Sequence, residues 1–207
     1  MEQKEDAPKT TLFYVTDEVQ QSQYINMFKE EGLDAVILKH NIDSPFISLV
    51  EQKKENVEFK RIDSDVNDTL KAADAEEVTK ETVDTLTEVF RKALGKEKLD
   101  VKVENLKNES VASMITLSEE SRRMQDMMKM YNMGGMDPAM FGGAETLVLN
   151  AKNNLVQYIL GHKDGENVPM ICEQLYDLAM LSHAPLSPEA MTKFIARSNE
   201  IMTKLVQ

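Results

Sequence analysis

The chain has 207 residues, 24 Lys and Arg against 36 Asp and Glu, a formal charge of −12 and a sequence pI of about 4.8. Phosphate backbones and anionic lipid surfaces are held by clustered cations, so this balance argues against a nucleic-acid or membrane partner. A hydrophobic content of 42% supports one or two globular domains. The single cysteine, Cys172, rules out an internal disulfide and fits a reducing compartment.

The polar start MEQKEDAPKT lacks the apolar region of a signal peptide, and no run reaches the ~18 apolar residues of a membrane span, so a cytoplasmic protein is expected. Thr11 to Val15 (TLFYV) reads as a strand. Thr16 or Asp17 can cap a following helix with Val19, Tyr24, Ile25 and Phe28 on its apolar side, closed by Gly32. Ala35 to Leu38 (AVIL) has the continuous apolar character of a buried parallel strand. A second helix carries Phe46, Ile47, Leu49 and Val50, and Val57 to Ile62 is a third strand. Strands alternating with helices predict a small αβα unit with right-handed crossovers. The acidic stretch from Asp63 to about Glu77 marks a linker, dividing the chain into domains 1–70 and 71–207.

Beyond the linker, Val83, Leu86, Val89, Phe90 and Leu94 share one helix face ended by Gly95. Leu99 to Val103, Val111 to Leu117 and Glu145 to Asn150 read as strands, with a short helix over Asn153 to Leu160. The second domain is therefore α+β, and the chain as a whole is mixed α/β.

Between the second and third of these strands lies MQDMMKMYNMGGMDPAMFGG. Of the chain's 14 methionines, Met124, Met127, Met128, Met130, Met133, Met136 and Met140 fall here. Met124, Met127, Met128 and Tyr131 recur at helical spacing, opposite Arg122, Asp126 and Lys129, and Gly134-Gly135 ends the pattern. A Gly-rich continuation still carries Met136, Met140 and Phe141. Such a stripe ordinarily faces a core, but flexible, polarizable thioethers also make a surface that remoulds around apolar partners. The stretch is therefore a candidate binding surface for exposed hydrophobic segments of other proteins.

Two helices close the chain. The first, about Pro169 to His183, is apolar nearly all round, with Leu175, Tyr176, Leu178 and Ala179 among its residues. Ser187-Pro188-Glu189 opens the second as N-cap, first-turn proline and first-turn acid. Met191, Phe194, Ile195, Ser198, Ile201, Met202 and Leu205 form its face. Together these helices carry more apolar surface than they can bury on each other, and a four-helix bundle with a second copy would cover it.

Self-contained catalytic chemistry is not legible. His40, His162 and His183 are dispersed and have no ligand spacing to Cys172, so no metal site is expected. Neither Gly pair is followed by the Lys-Ser or Lys-Thr of a phosphate loop. Ser182 and His183 are sequence neighbours that do not face each other on a helix, and His183 reads as a C-terminal cap.

Three stretches, Tyr14 to Ile47, Ala112 to Gly143 and Ile171 to Met202, resemble in order the heat-shock protein 90 family of ATP-driven chaperones, in its bacterial HtpG branch. The resemblance implies the C-terminal portion of such a chaperone: the small α/β end of the middle domain, then the dimerization domain. It implies that ATP and magnesium belong to a missing N-terminal domain of the parent, so this portion is not itself expected to be an enzyme. Carried over by position, it places client contacts on Met127, Met128, Met130 and Tyr131, and a four-helix homodimer interface on the last two helices. A second client spot falls near Pro45 to Ser48, where this chain offers Phe46 in place of the Trp of some bacterial relatives. The terminal LVQ differs from the acidic peptide that eukaryotic cytosolic members show to co-chaperones, so helpers of that type are not expected. A competing reading is a methionine-rich signal-sequence binder without ATP, which is normally basic because it also holds RNA.

Overall fold

The computed structural model describes residues 9–64, 70–72, 77–118, 121, 123 and 145–206. These fall into two compact units, residues 9–64 with 117, 118, 121 and 123, and residues 70–72 and 77–116 with 145–206.

In the first unit, β1 (Thr10–Val15), α1 (Ser22–Glu30), β2 (Val36–Ile37), α2 (Asp43–Lys53) and β3 (Val57–Arg61) alternate along the chain. All pairings are parallel in the order β2-β1-β3, with Tyr14 opposite Val36 and Leu12 opposite Phe59. Alternate residues of β1 point to opposite faces. Tyr14 packs with Ile47 of α2 and Phe59. Phe13, facing the other way, meets Phe28 of α1 edge-on with ring centroids 5.0 Å apart. The sheet therefore lies between the two helices, as the alternation predicts.

Three details differ from expectation. The run Ala35 to Leu38 yields only the two-residue β2, whose Val36 and Ile37 are exposed because it is the sheet edge. Asp17 does not cap α1; its carboxylate accepts from the Val19 and Gln20 amides in the preceding turn, and Val19 is exposed. Asp63 is not linker, since its buried carboxylate receives Arg61 Nε and Nη2 at 2.6 and 2.8 Å. An acidic residue looks like linker in a sequence and is core once its cation is beside it.

In the second unit, α3 (Lys80–Leu94), β4 (Asp100–Glu104), β5 (Ser113–Thr116) and β6 (Thr146–Asn150) precede α4 (Asn154–Gly161), α5 (Val168–Leu181) and α6 (Pro188–Leu205). β6 is the middle strand, parallel to β4 and antiparallel to β5. Its residues Leu147 to Asn150 are buried, as a central strand requires. Thr79 caps α3 and left-handed Gly95, φ 64°, ends it; its expected face delivers Leu86 and Phe90 to the core. That core joins Ile115, Leu147 and Leu149 to Val156, Ile159, Val168, Cys172 and Leu175. Leu70 is also buried, and its carbonyl accepts the Lys107 amide, so the second unit begins inside the stretch read as linker. The described chain is thus mixed α/β, with strands alternating first and helices gathering at the end.

Candidate functional site

The expected site residues separate into three groups. Met124, Met127, Met128, Met130, Tyr131, Met133, Met136, Met140 and Phe141 lie outside the described residues. Their approach is described: Ser118 Oγ accepts from the Ser121 amide at 3.2 Å, the capping role its position suggests. Two residues on, Arg123 grips Glu51 of α2 through Nη1 and Nη2, at 2.6 and 3.0 Å, and Nη2 also donates to the Phe59 carbonyl at 3.2 Å. Glu51 also accepts the Phe59 amide at 2.7 Å. Burial pushes the Glu51 carboxyl pKa up, but the bonds from Arg123 and Phe59 and the Arg123 charge outweigh it, so the net shift is down.

Phe46 is exposed on α2, close in sequence to exposed Ile42 and Leu49. On this helix the inward side chain is Ile47. Because Phe46 stands one residue, about 100°, from Ile47, its outward direction follows from the helix itself.

The terminal helices form the third group. Leu175, Tyr176 and Ala179 were expected at an interface with a second copy. They are instead buried in this chain's own core at 2%, 7% and 1% exposure, which corrects their assignment: they have no surface left to offer. An all-round apolar helix meets this unit's sheet and α3 first. Leu178, by contrast, is 46% exposed.

α6 has the opposite character. Ser187 accepts from the Ala190 amide and Pro188 opens the helix, as the sequence predicts, yet none of its residues is buried. Ile195, Met202 and Leu205 are exposed at 53%, 56% and 81%, and Met191, Phe194, Ser198 and Ile201 are half-buried. A set of polar side-chain bonds ties α6 back to the helix before it. Arg197 Nη1 donates to Glu173 Oε2 at 2.8 Å, Nε to Gln174 Oε1 at 2.9 Å, and Nη2 to Asp177. Gln174 Nε2 donates to Ser198 Oγ at 3.1 Å, and Lys204 Nζ to Asn167 Oδ1 at 3.0 Å. The sequence reading missed this clamp. Its signal was there, in Glu173 and Asp177 one helical turn apart facing the lone arginine of the next helix.

Chemistry elsewhere is spare. No group of three or more His, Cys, Asp or Glu is placed to hold a metal among the described residues. An open hollow lined by Asp84, Thr87, Glu88, Arg91, Lys92 and Glu97 sets three carboxylates against two cations, a balance without the excess of cations that a polyphosphate requires. His183 is buried with Nε2 3.4 Å from Glu145, a contact beyond its expected place at the end of α5. No described helix is long and apolar enough to cross a membrane.

The family model described as Hsp90 protein matches residues 3–207. The chain belongs to the Hsp90 family. Among Hsp90-family proteins, the chaperone protein htpG of Bacteroides fragilis is 32% identical over 173 residues, covering 78% of this chain and 24% of the relative. The chaperone protein HtpG of Porphyromonas gingivalis is 28% identical over 184 residues, covering 84% and 26%. That of Treponema denticola is 25% identical over 207 residues, covering 94% and 31%. This Hsp90-family chain is of the HtpG type, as its three quoted stretches imply, and it spans about a quarter of the length of the first of these relatives.

Proposed function

We propose that this chain acts within an Hsp90-type, HtpG-like molecular chaperone in the cytoplasm. On this reading it pairs two copies through α6 and Leu178 and offers its methionine-rich stretch, residues 124–141, to unfolded or partly folded client proteins. Residues 1–70 would be the end of a middle domain and 71–207 a dimerization domain. ATP hydrolysis, with its magnesium, would reside in the part of the parent that corresponds to the rest of the relatives' length.

The observation that carries the pairing is α6. An 18-residue helix with no buried residue and a row of exposed apolar side chains is poorly satisfied in one copy. A second copy related by a two-fold axis would present the same row to it, and two hairpins would make four helices. Phe46 on α2 would add a smaller apolar contact. Two copies would carry two methionine-rich stretches in one assembly, and bivalent capture of a client strengthens binding through effective concentration alone.

Sedimentation of the chain at micromolar concentration tests the pairing. A dimer is expected, and Ile195→Glu with Met202→Glu should yield a folded monomer, since neither side chain belongs to the core. A chain that is monomeric at every concentration would remove the interface from this reading.

A further inference from the structure

α5 and α6 form an antiparallel hairpin joined in an unusual sense. Adjacent helices in a water-soluble domain ordinarily turn their apolar stripes toward each other and their charges outward. Here the guanidinium of Arg197, only 10% exposed, lies between the helices, while Ile195 and Met202 point to solvent. The helical wheel shows how this arises. At 100° per residue the apolar residues of α6 span an arc of about 120°, from Ile201 through Phe194, Leu205, Met191 and Met202 to Ile195, with Ser198 near its middle. Arg197 and Lys204 sit just outside the Ile201 border of this arc. Arg197 reaches Glu173, Gln174 and Asp177 on α5, and Lys204 reaches Asn167, the residue just before it. Ile195 and Met202, about 160° and 140° round from Arg197, are thereby left on the open border.

We propose that Arg197 is the positioning residue of the α6 interface: its fork of bonds to Glu173, Gln174 and Asp177 fixes the roll of α6 about its own axis and holds the Ile195 and Met202 border of the apolar arc open for a second copy. This rests on the pairing reading. The guanidinium suits the task because its planar donors engage three acceptors in one orientation, which a lysine's single ammonium cannot reproduce. Without it, the alternative available to α6 is to roll its apolar arc onto α5 and Leu178 within one chain. That burial would compete directly with the second copy.

The test is Arg197→Leu in the full chain, read in two ways. The dimer dissociation constant from sedimentation should rise at least about tenfold, with Arg197→Lys falling between. Separately, Ile195→Cys supplies an exposed thiol, against which buried Cys172 is silent. At a dilution where the chain is monomeric, Arg197→Leu should slow labelling of that thiol several-fold, while far-ultraviolet dichroism holds constant. A dissociation constant within twofold of the parent overturns the proposal. So does a lost dimer with unchanged labelling, which would mean that Arg197 touches the second copy itself. Faster labelling with lost helicity also overturns it, because Arg197 would then only hold the helix together. If the parent never pairs, the pairing reading fails, and the labelling arm still decides the roll.

Discussion

Asn150 ends the central strand of the second unit with no exposed surface and every polar atom engaged. Its Oδ1 accepts the Leu106 and Lys152 amides at 3.1 Å each, and its Nδ2 donates to the carbonyls of Asn108 and Val111 at 3.0 and 2.9 Å. One amide thus supplies the loop between β4 and β5 with partners that water would otherwise give. Asn150→Leu keeps the branched side-chain skeleton and strands these groups, so denaturant unfolding should report a loss of at least about 2 kcal/mol. An unchanged midpoint would show the loop to be independent of it. Cys172 is the contrasting buried group. Burial foremost, with Glu173 beside it, pushes its thiol up to about 12, leaving almost no thiolate at neutral pH. Alkylation of the native chain should proceed only at the rate of unfolding, and rapid stoichiometric labelling would contradict its placement in the core.

Among the elements, α2 and α6 show how a helix can be committed to one surface yet available on another. α2 sends Ile47 to the sheet, leaves Phe46 outside, and holds Arg123 through Glu51. That last contact has a definite pH dependence. Because the folded Glu51 carboxyl is held below its ordinary range, its stabilisation is complete above the unfolded value, about pH 4.3, and disappears as pH falls through the folded value. Between pH 7 and 3 the parent should therefore lose more stability than Glu51→Gln does. Parallel losses in the two proteins would show the ion pair to be inconsequential. The Ser187 cap of α6 and the Gly95 stop of α3 were legible because each is local, whereas the caps that Thr79 and Asn153 supply to α3 and α4 emerge only in the structure. The same signal misled at Asp17, where a short side chain caps a turn as readily as a helix.

For the whole molecule, the reading joins a methionine-rich stretch to a paired carboxy-terminal helix. Its decisive prediction concerns clients. Replacing Met127, Met128, Met130 and Tyr131 by Ser should weaken binding of a partly unfolded protein while the melting temperature stays nearly constant. A large fall in stability would instead place those side chains in a core, where each large-to-small change costs about 2–5 kcal/mol.

The sequence by itself determined what depends on neighbours within a few residues: the order of strands and helices, the Ser187 start of α6, the Gly95 end of α3, the β-rich character of 146–150, and the family to which its stretches belong. Tertiary structure decided which apolar faces are spent. Leu175 and Ile195 look alike in a periodicity argument, yet the first is consumed by the core around β5 and β6 and the second stands in solvent. Hydrophobicity has no direction, so a stripe of it says only that something will cover it. Arg197, whose fork of directional bonds aims α6, supplies the direction that the stripe lacks.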